Sequence, residues 1–212
     1  MLRKPLLLAA CATLSFGAFA GAATIASFDF EDQTKANSLA PLPTGISAVS
    51  DMSWGGTGTP PKTDVIAFNQ GSWIYRLVFP GDTASIVRVW TYTVDVEPGY
   101  EVDLTGWAAS ASAQGVGSDL VYTVNGIDVG SFVVDTNSHN FAIPPSGSGA
   151  IADPLLNGLT GTITVELSMG GQERFQANLD NVVLSGDVGL IPEPTSLAGL
   201  SLLAGVLVRR RR

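Results

Sequence analysis

The sequence predicts an all-β domain, a β-sandwich or jelly roll, carried between two short targeting segments. Two observations predict the sandwich. Apolar and polar residues alternate with a period of two through much of residues 24–188, the signature of strands with one buried face. Clusters of Gly, Pro, Asn and Ser separate these runs, and no stretch of the body sustains a helical period. A third, the uncharged stretches at both ends of the chain, predicts the flanking segments.

Residues 1–23 read as a signal peptide. Arg3 and Lys4 supply the basic start, Leu6 to Ala23 carry no charge, and Ala18-Phe19-Ala20 fits the small-x-small cleavage pattern, with Ala23 a second option. A retained anchor is the alternative, and Leu8-Ala9-Ala10-Cys11 has the outline of a lipobox.

Within the body, Ile86, Arg88, Trp90, Tyr92, Val94 and Val96 share one face of a predicted strand. Tyr100, Val102 and Leu104 alternate with Glu101, Asp103 and Thr105 in the next. Leu120, Tyr122 and Val124 lead into Asn125-Gly126, the preferred pair for a type I′ hairpin, and Ile127 and Val129 lead out. Ile163, Val165 and Leu167 mark a further strand, and Phe175 to Ser185 the closing one. Asp51 to Lys62 and Pro144 to Gly149 read as surface loops, and neither continues into the Gly-Lys-Ser/Thr of a phosphate loop.

Residues 189–212 form the second targeting segment. Pro192-Glu193-Pro194 ends the sheet structure, Leu197 to Val208 is apolar, and Arg209, Arg210, Arg211 and Arg212 close the chain. The apolar run is shorter than the ~20 residues of a relaxed transmembrane helix, so insertion requires membrane thinning or arginine snorkelling. The arginines are expected to stay on the cytoplasmic side, with the body outside.

This ordered triple at the extreme end resembles the PEP-CTERM sorting signal of Gram-negative bacteria. The resemblance implies signal peptidase at one end and an exosortase, a membrane transpeptidase-like protease, near Pro192-Glu193-Pro194 at the other. It also implies a transient hold at the inner membrane, then the cell surface or the extracellular polysaccharide matrix. An ordinary tail anchor is the alternative.

Charge narrows the function classes. Residues 21–190 hold five basic and 18 acidic side chains, a net charge of −13, which repels phosphate backbones and argues against nucleic acid as a partner. The only cysteine, Cys11, falls in the signal segment, so the body has no disulfide and no thiolate. The single histidine, His139, excludes His-pair zinc motifs and reads as a loop residue.

The body also resembles carbohydrate-binding-module and galactose-binding-like jelly rolls. Ala26 to Asp32 looks like their first strand and turn, Tyr100 to Ala109 like their central strand, Val121 to Phe132 like their ligand-side hairpin, and Leu179 to Leu184 like their closing strand. The resemblance implies first and last strands side by side, which would bring Asp29, Glu31 and Asp32 near Asp180. Hard oxygen ligands so placed suit Ca²⁺, and a solvated acidic face is the other reading.

Four tryptophans remain. Trp54, beside Gly55-Gly56 in an expected loop, and Trp107, on the expected Glu101/Asp103/Thr105 face, are the candidates for stacking on sugar rings, with packing as the alternative for each. Trp73 and Trp90 sit in apolar strands and are expected in the core. Glu97, Glu101, Glu166 and Glu173 supply carboxyl groups, but no activated pair for glycoside hydrolysis stands out. The expectation is a non-catalytic surface or matrix protein that binds polysaccharide. A purely structural component and a glycan-active hydrolase are the alternatives.

Overall fold

The computed structural model describes residues 22–55, 63–69, 72–78, 86–114, 119–134, 146–171 and 176–191. Two antiparallel sheets carry the fold, as the period-two patterning requires. Sheet A runs in the order β10 (Ser146–Ala150), β7 (Tyr100–Gln114), β12 (Gln176–Leu190), β5 (Ser72–Val78), β4 (Thr63–Asn69). The first strand, β1 (Ala23–Phe28), also pairs with β12, with Phe28 opposite Val182 and Ala23 opposite Gly186. First and last strands therefore do run side by side. Sheet B runs β2 (Ile46–Val49), β6 (Ile86–Val96), β11 (Thr162–Gly171), β8 (Asp119–Val124), β9 (Ile127–Val133), and the two-residue β3 (Ser53–Trp54) pairs with β6.

The core lies between the sheets, and aromatic rings bridge them. Phe28 meets Tyr92 at 4.7 Å, Trp107 meets Tyr122 at 5.3 Å, and Tyr75 meets Trp90 edge-on at 6.5 Å. In β6 the predicted alternation holds: Trp90, Tyr92, Val94 and Val96 are buried and the residues between them are half-buried. Asn125 and Gly126 both take positive φ, 50° and 79°, as a type I′ turn demands, and they join β8 to β9. Tyr92 and Tyr122 share a buried hydroxyl–hydroxyl hydrogen bond of 2.7 Å. Desolvation holds both phenols in the neutral form, well above the ordinary phenol pKa.

Two expected loops contain strands. Ser53–Trp54 lies within 51–62, and Ser146–Ala150 overlaps 144–149. The alternating glycines of the second, Gly147 and Gly149, are what let it pair. A Cβ on Gly147 would lie 2.3 Å from the Phe132 ring, and one on Gly149 would lie 2.8 Å from the Trp107 indole nitrogen. Bare backbone here lets β10 close against β9 and seals one edge of the sandwich.

The predicted signal segment up to Gly21, His139, Pro192, Glu193, Pro194 and Arg209 to Arg212 lie outside the described residues. Among the described residues, no helix is long and apolar enough to cross a membrane.

Candidate functional site

Trp107 is not on the surface. It is 5% exposed, and its indole N–H donates to the Val129 carbonyl oxygen at 3.1 Å across the inter-sheet core. The expectation of exposure fails at a β-bulge. In the β7–β12 ladder Leu104 faces Gly186 and Gly106 faces Ser185, so Thr105 is an extra residue. One extra residue inverts the alternation. Val102 and Leu104 point inward before it, and Trp107, Ala109 and Ala111 point inward after it.

Trp54 also differs from the expected loop platform. It stands directly opposite Trp90 in the β3–β6 pair, so both rings share the inner face. Trp54 is half-buried and packs on the core, and Trp90 is fully buried. Around them this edge of the sandwich collects polar groups. Tyr75 of β5 is fully buried, with Phe30 at 5.8 Å and Trp90 at 6.5 Å. Lys35 lies over the Tyr75 ring, 4.6 Å from its centroid, and forms an ion pair with Asp64 of β4. The backbone of the 29–38 segment holds Lys35 there: Met52 N–H donates to the Lys35 carbonyl at 2.8 Å, and Ser38 N–H to Ser27 at 2.7 Å.

Two donors at this edge are buried without a partner: the Trp54 indole N–H and the Trp90 indole N–H. Burial is the larger reason, and the Asp64 carboxylate the second, that the Tyr75 phenol is held far above its usual pKa. Nearly all buried polar groups find partners, so two orphan N–H groups on facing indoles mark a place short of acceptors. Sequence reasoning singled out Trp54 but missed Tyr75, Lys35 and Asp64. They come together only through sheet pairing across residues 35–75, and no local motif announces that.

The acidic residues beside the first strand and in the last accept hydrogen bonds from neighbouring residues of the chain. Asp29 Oδ1 accepts from the Glu31 N–H at 3.3 Å, and Asp32 accepts from both the backbone N–H and the hydroxyl of Thr34. Asp180 is 3% exposed and accepts from Asn181 N–H at 2.8 Å, at a second bulge where Asn181 takes φ 48°. Among the described residues no group of three or more His, Cys, Asp or Glu side chains is placed to hold a metal ion. Asn178 extends the buried polar row beside Asp180. It accepts from Arg76 Nε at 3.2 Å and donates to Ser112 Oγ at 3.0 Å. Desolvation lowers the Arg76 pKa.

Glu101 and Glu166 lie on opposite outer faces. Glu101 alternates with buried Val102 on sheet A, and Glu166 sits between buried Val165 and Leu167 on sheet B. Glu97 sits in the turn between β6 and β7, and Glu173 is outside the described residues.

No family model and no curated protein matches this sequence. Among solved structures, it is similar to the TmCBM61 carbohydrate-binding module in complex with β-1,4-galactotriose, at 13% identity and a TM-score of 0.41, covering 77% of this chain and 94% of that one. It is also similar to a family 35 carbohydrate-binding module from an environmental isolate, at 15% identity and a TM-score of 0.38, covering 78% and 96%. A third is an exo-β-1,3-galactanase from Phanerochaete chrysosporium, at 17% identity and a TM-score of 0.33, covering 76% of this chain but 29% of the enzyme. At this distance the likeness is one of all-β architecture, and what this chain does has to be argued from its own residues.

Proposed function

We propose that this is an exported surface or extracellular-matrix protein whose β-sandwich binds polysaccharide without cleaving it. The observation that supports the binding is the half-buried Trp54 ring, at the edge that also carries the Lys35–Asp64 ion pair. The accessible part of an aromatic face can cover the apolar face of a sugar ring. A hydrolase needs two carboxyl groups flanking one bond, and Glu101 and Glu166 on opposite faces of a sandwich cannot do so. The route to the surface rests on the two end segments. Signal peptidase would act near Ala20 and an exosortase near Pro192-Glu193-Pro194, after a transient hold at the inner membrane.

The test is affinity electrophoresis of the purified protein through gels carrying extracellular polysaccharides. Retardation is expected, and Trp54→Ala should reduce it. A folded protein that no polysaccharide retards would overturn the binding claim and favour a purely structural matrix component. Intact-mass measurement of the extracellular protein should show both ends missing, and a chain there still bearing Arg209 to Arg212 would sink the sorting claim.

A further inference from the structure

We infer that the folded sandwich restrains its own C-terminal processing: the last residues of β12 must peel from β7 before an enzyme can take the chain beside Pro192-Glu193-Pro194. This rests on the sorting reading and adds a controlling step to it. The ladder leaves no slack before the motif. Gly189 faces Glu101, Leu190 faces Tyr100, and the Ile191 N–H donates to the Gly99 carbonyl oxygen at 2.9 Å. Pro192 is the next residue. Proteases take up their substrates as extended chain through main-chain hydrogen bonds, so backbone already spent in a ladder is closed to them.

The same end is built to open a short way and then stop. β1 covers the other side of β12 only as far as Gly186, so among the described residues Asp187 to Leu190 pair with β7 alone. Leu190 is 70% exposed and Ile191 40%, so little apolar burial holds them. Val188 differs. It packs on the core and lies against Gly45, where an added Cβ would come within 2.7 Å of its side chain. Peeling therefore frees Gly189, Leu190 and Ile191 by breaking a few backbone hydrogen bonds, and it halts at Val188. Cleavage then tracks the fraction of time those residues stand open.

The experiment follows loss of Arg209 to Arg212 from the full chain in its native host, by pulse labelling and intact mass. A short Gly/Ser insert between Ile191 and Pro192 supplies slack without touching the ladder. It should speed processing by at least about fivefold, the scale of one or two net backbone hydrogen bonds. Leu190→Cys with Tyr100→Cys puts a disulfide across directly opposed residues, and the only native cysteine, Cys11, lies in the signal segment. This staple should slow processing of the parent chain by about fivefold or more until reductant is added. It should leave the insertion variant unaffected, because the slack there lies beyond the staple. Equal rates for the parent, inserted and stapled chains would overturn the inference and leave the sorting reading intact. A faster insertion variant with no effect of the staple on the parent would assign the gain to reach and would also overturn it. No loss of the arginine end from any of these chains would overturn both readings.

Discussion

Trp107 and Trp90 both lie on inner faces at the two opposite edges of the sandwich, and both are buried, but their indole nitrogens fare differently. At the β9–β10 seam Trp107 reaches the Val129 carbonyl, and glycines at 130 and 149 clear space for its ring. At the β3–β5 edge the N–H groups of Trp90 and its partner Trp54 meet no acceptor. One indole is closed in and bonded, and the other two are closed in and left without an acceptor. The difference teaches that the count of aromatics does not locate a site. Each indole has to be followed to its own acceptor.

The largest test of this contrast is truncation. Trp107→Ala should cost about 3–5 kcal/mol in urea unfolding, because it empties the sealed seam and strips Val129 of its donor. Trp54→Ala, from a half-buried ring with no bond to lose, should cost well under that. Equal losses would mean that the two edges are not distinct.

Glycine substitution comes next. A Cβ at Gly130 would lie 2.3 Å from the Trp107 ring, so Gly130→Ala should destabilise by about 1–3 kcal/mol. Gly106→Ala is the control, since its Cβ would meet the nearest atom at an ordinary 3.5 Å. If both variants melt alike, the seam has slack and the closed-edge description fails.

The smallest effect sharpens the contrast within the core. Tyr122→Phe leaves the Tyr92 hydroxyl buried and without its partner, which should cost about 1–3 kcal/mol. The phenol pair also sets a pH limit. Both folded pKa values are raised, so the folded state holds its protons longer than the unfolded chain. That contribution is complete below the ordinary phenol pKa, about 10, and is lost as pH rises from there toward the folded values. Melting temperature should therefore fall above about pH 10, and less steeply in the Tyr92→Phe/Tyr122→Phe double variant.

How far the sequence could be read follows from where the backbone departs from a period of two. The β6 alternation and the Asn125-Gly126 turn were legible because local chemistry determines both. Strict alternation puts Trp107 on the wrong face because one residue, Thr105, is unpaired in the ladder, and nothing in Leu104-Thr105-Gly106-Trp107 marks a bulge except its glycine. Trp54 looks like a loop residue because two residues of strand are too few to show a period. The Lys35–Asp64–Tyr75 group was invisible for a different reason: it is assembled by tertiary pairing alone.

The pairing of β1 with β12 also fixes how the molecule responds to force. Ala23 lies beside Gly186, so the chain enters and leaves at the same end of the sandwich. Tension applied between the two termini would load the β1–β12 ladder one hydrogen bond at a time, in a peeling geometry that offers little mechanical resistance. Removal of an N-terminal segment would release that load, and any remaining pull would pass through β12. That strand is gripped along most of its length by β7, and by β1 and β5 on its other side. A domain hung from its last strand would therefore resist extension far better than one stretched between its ends.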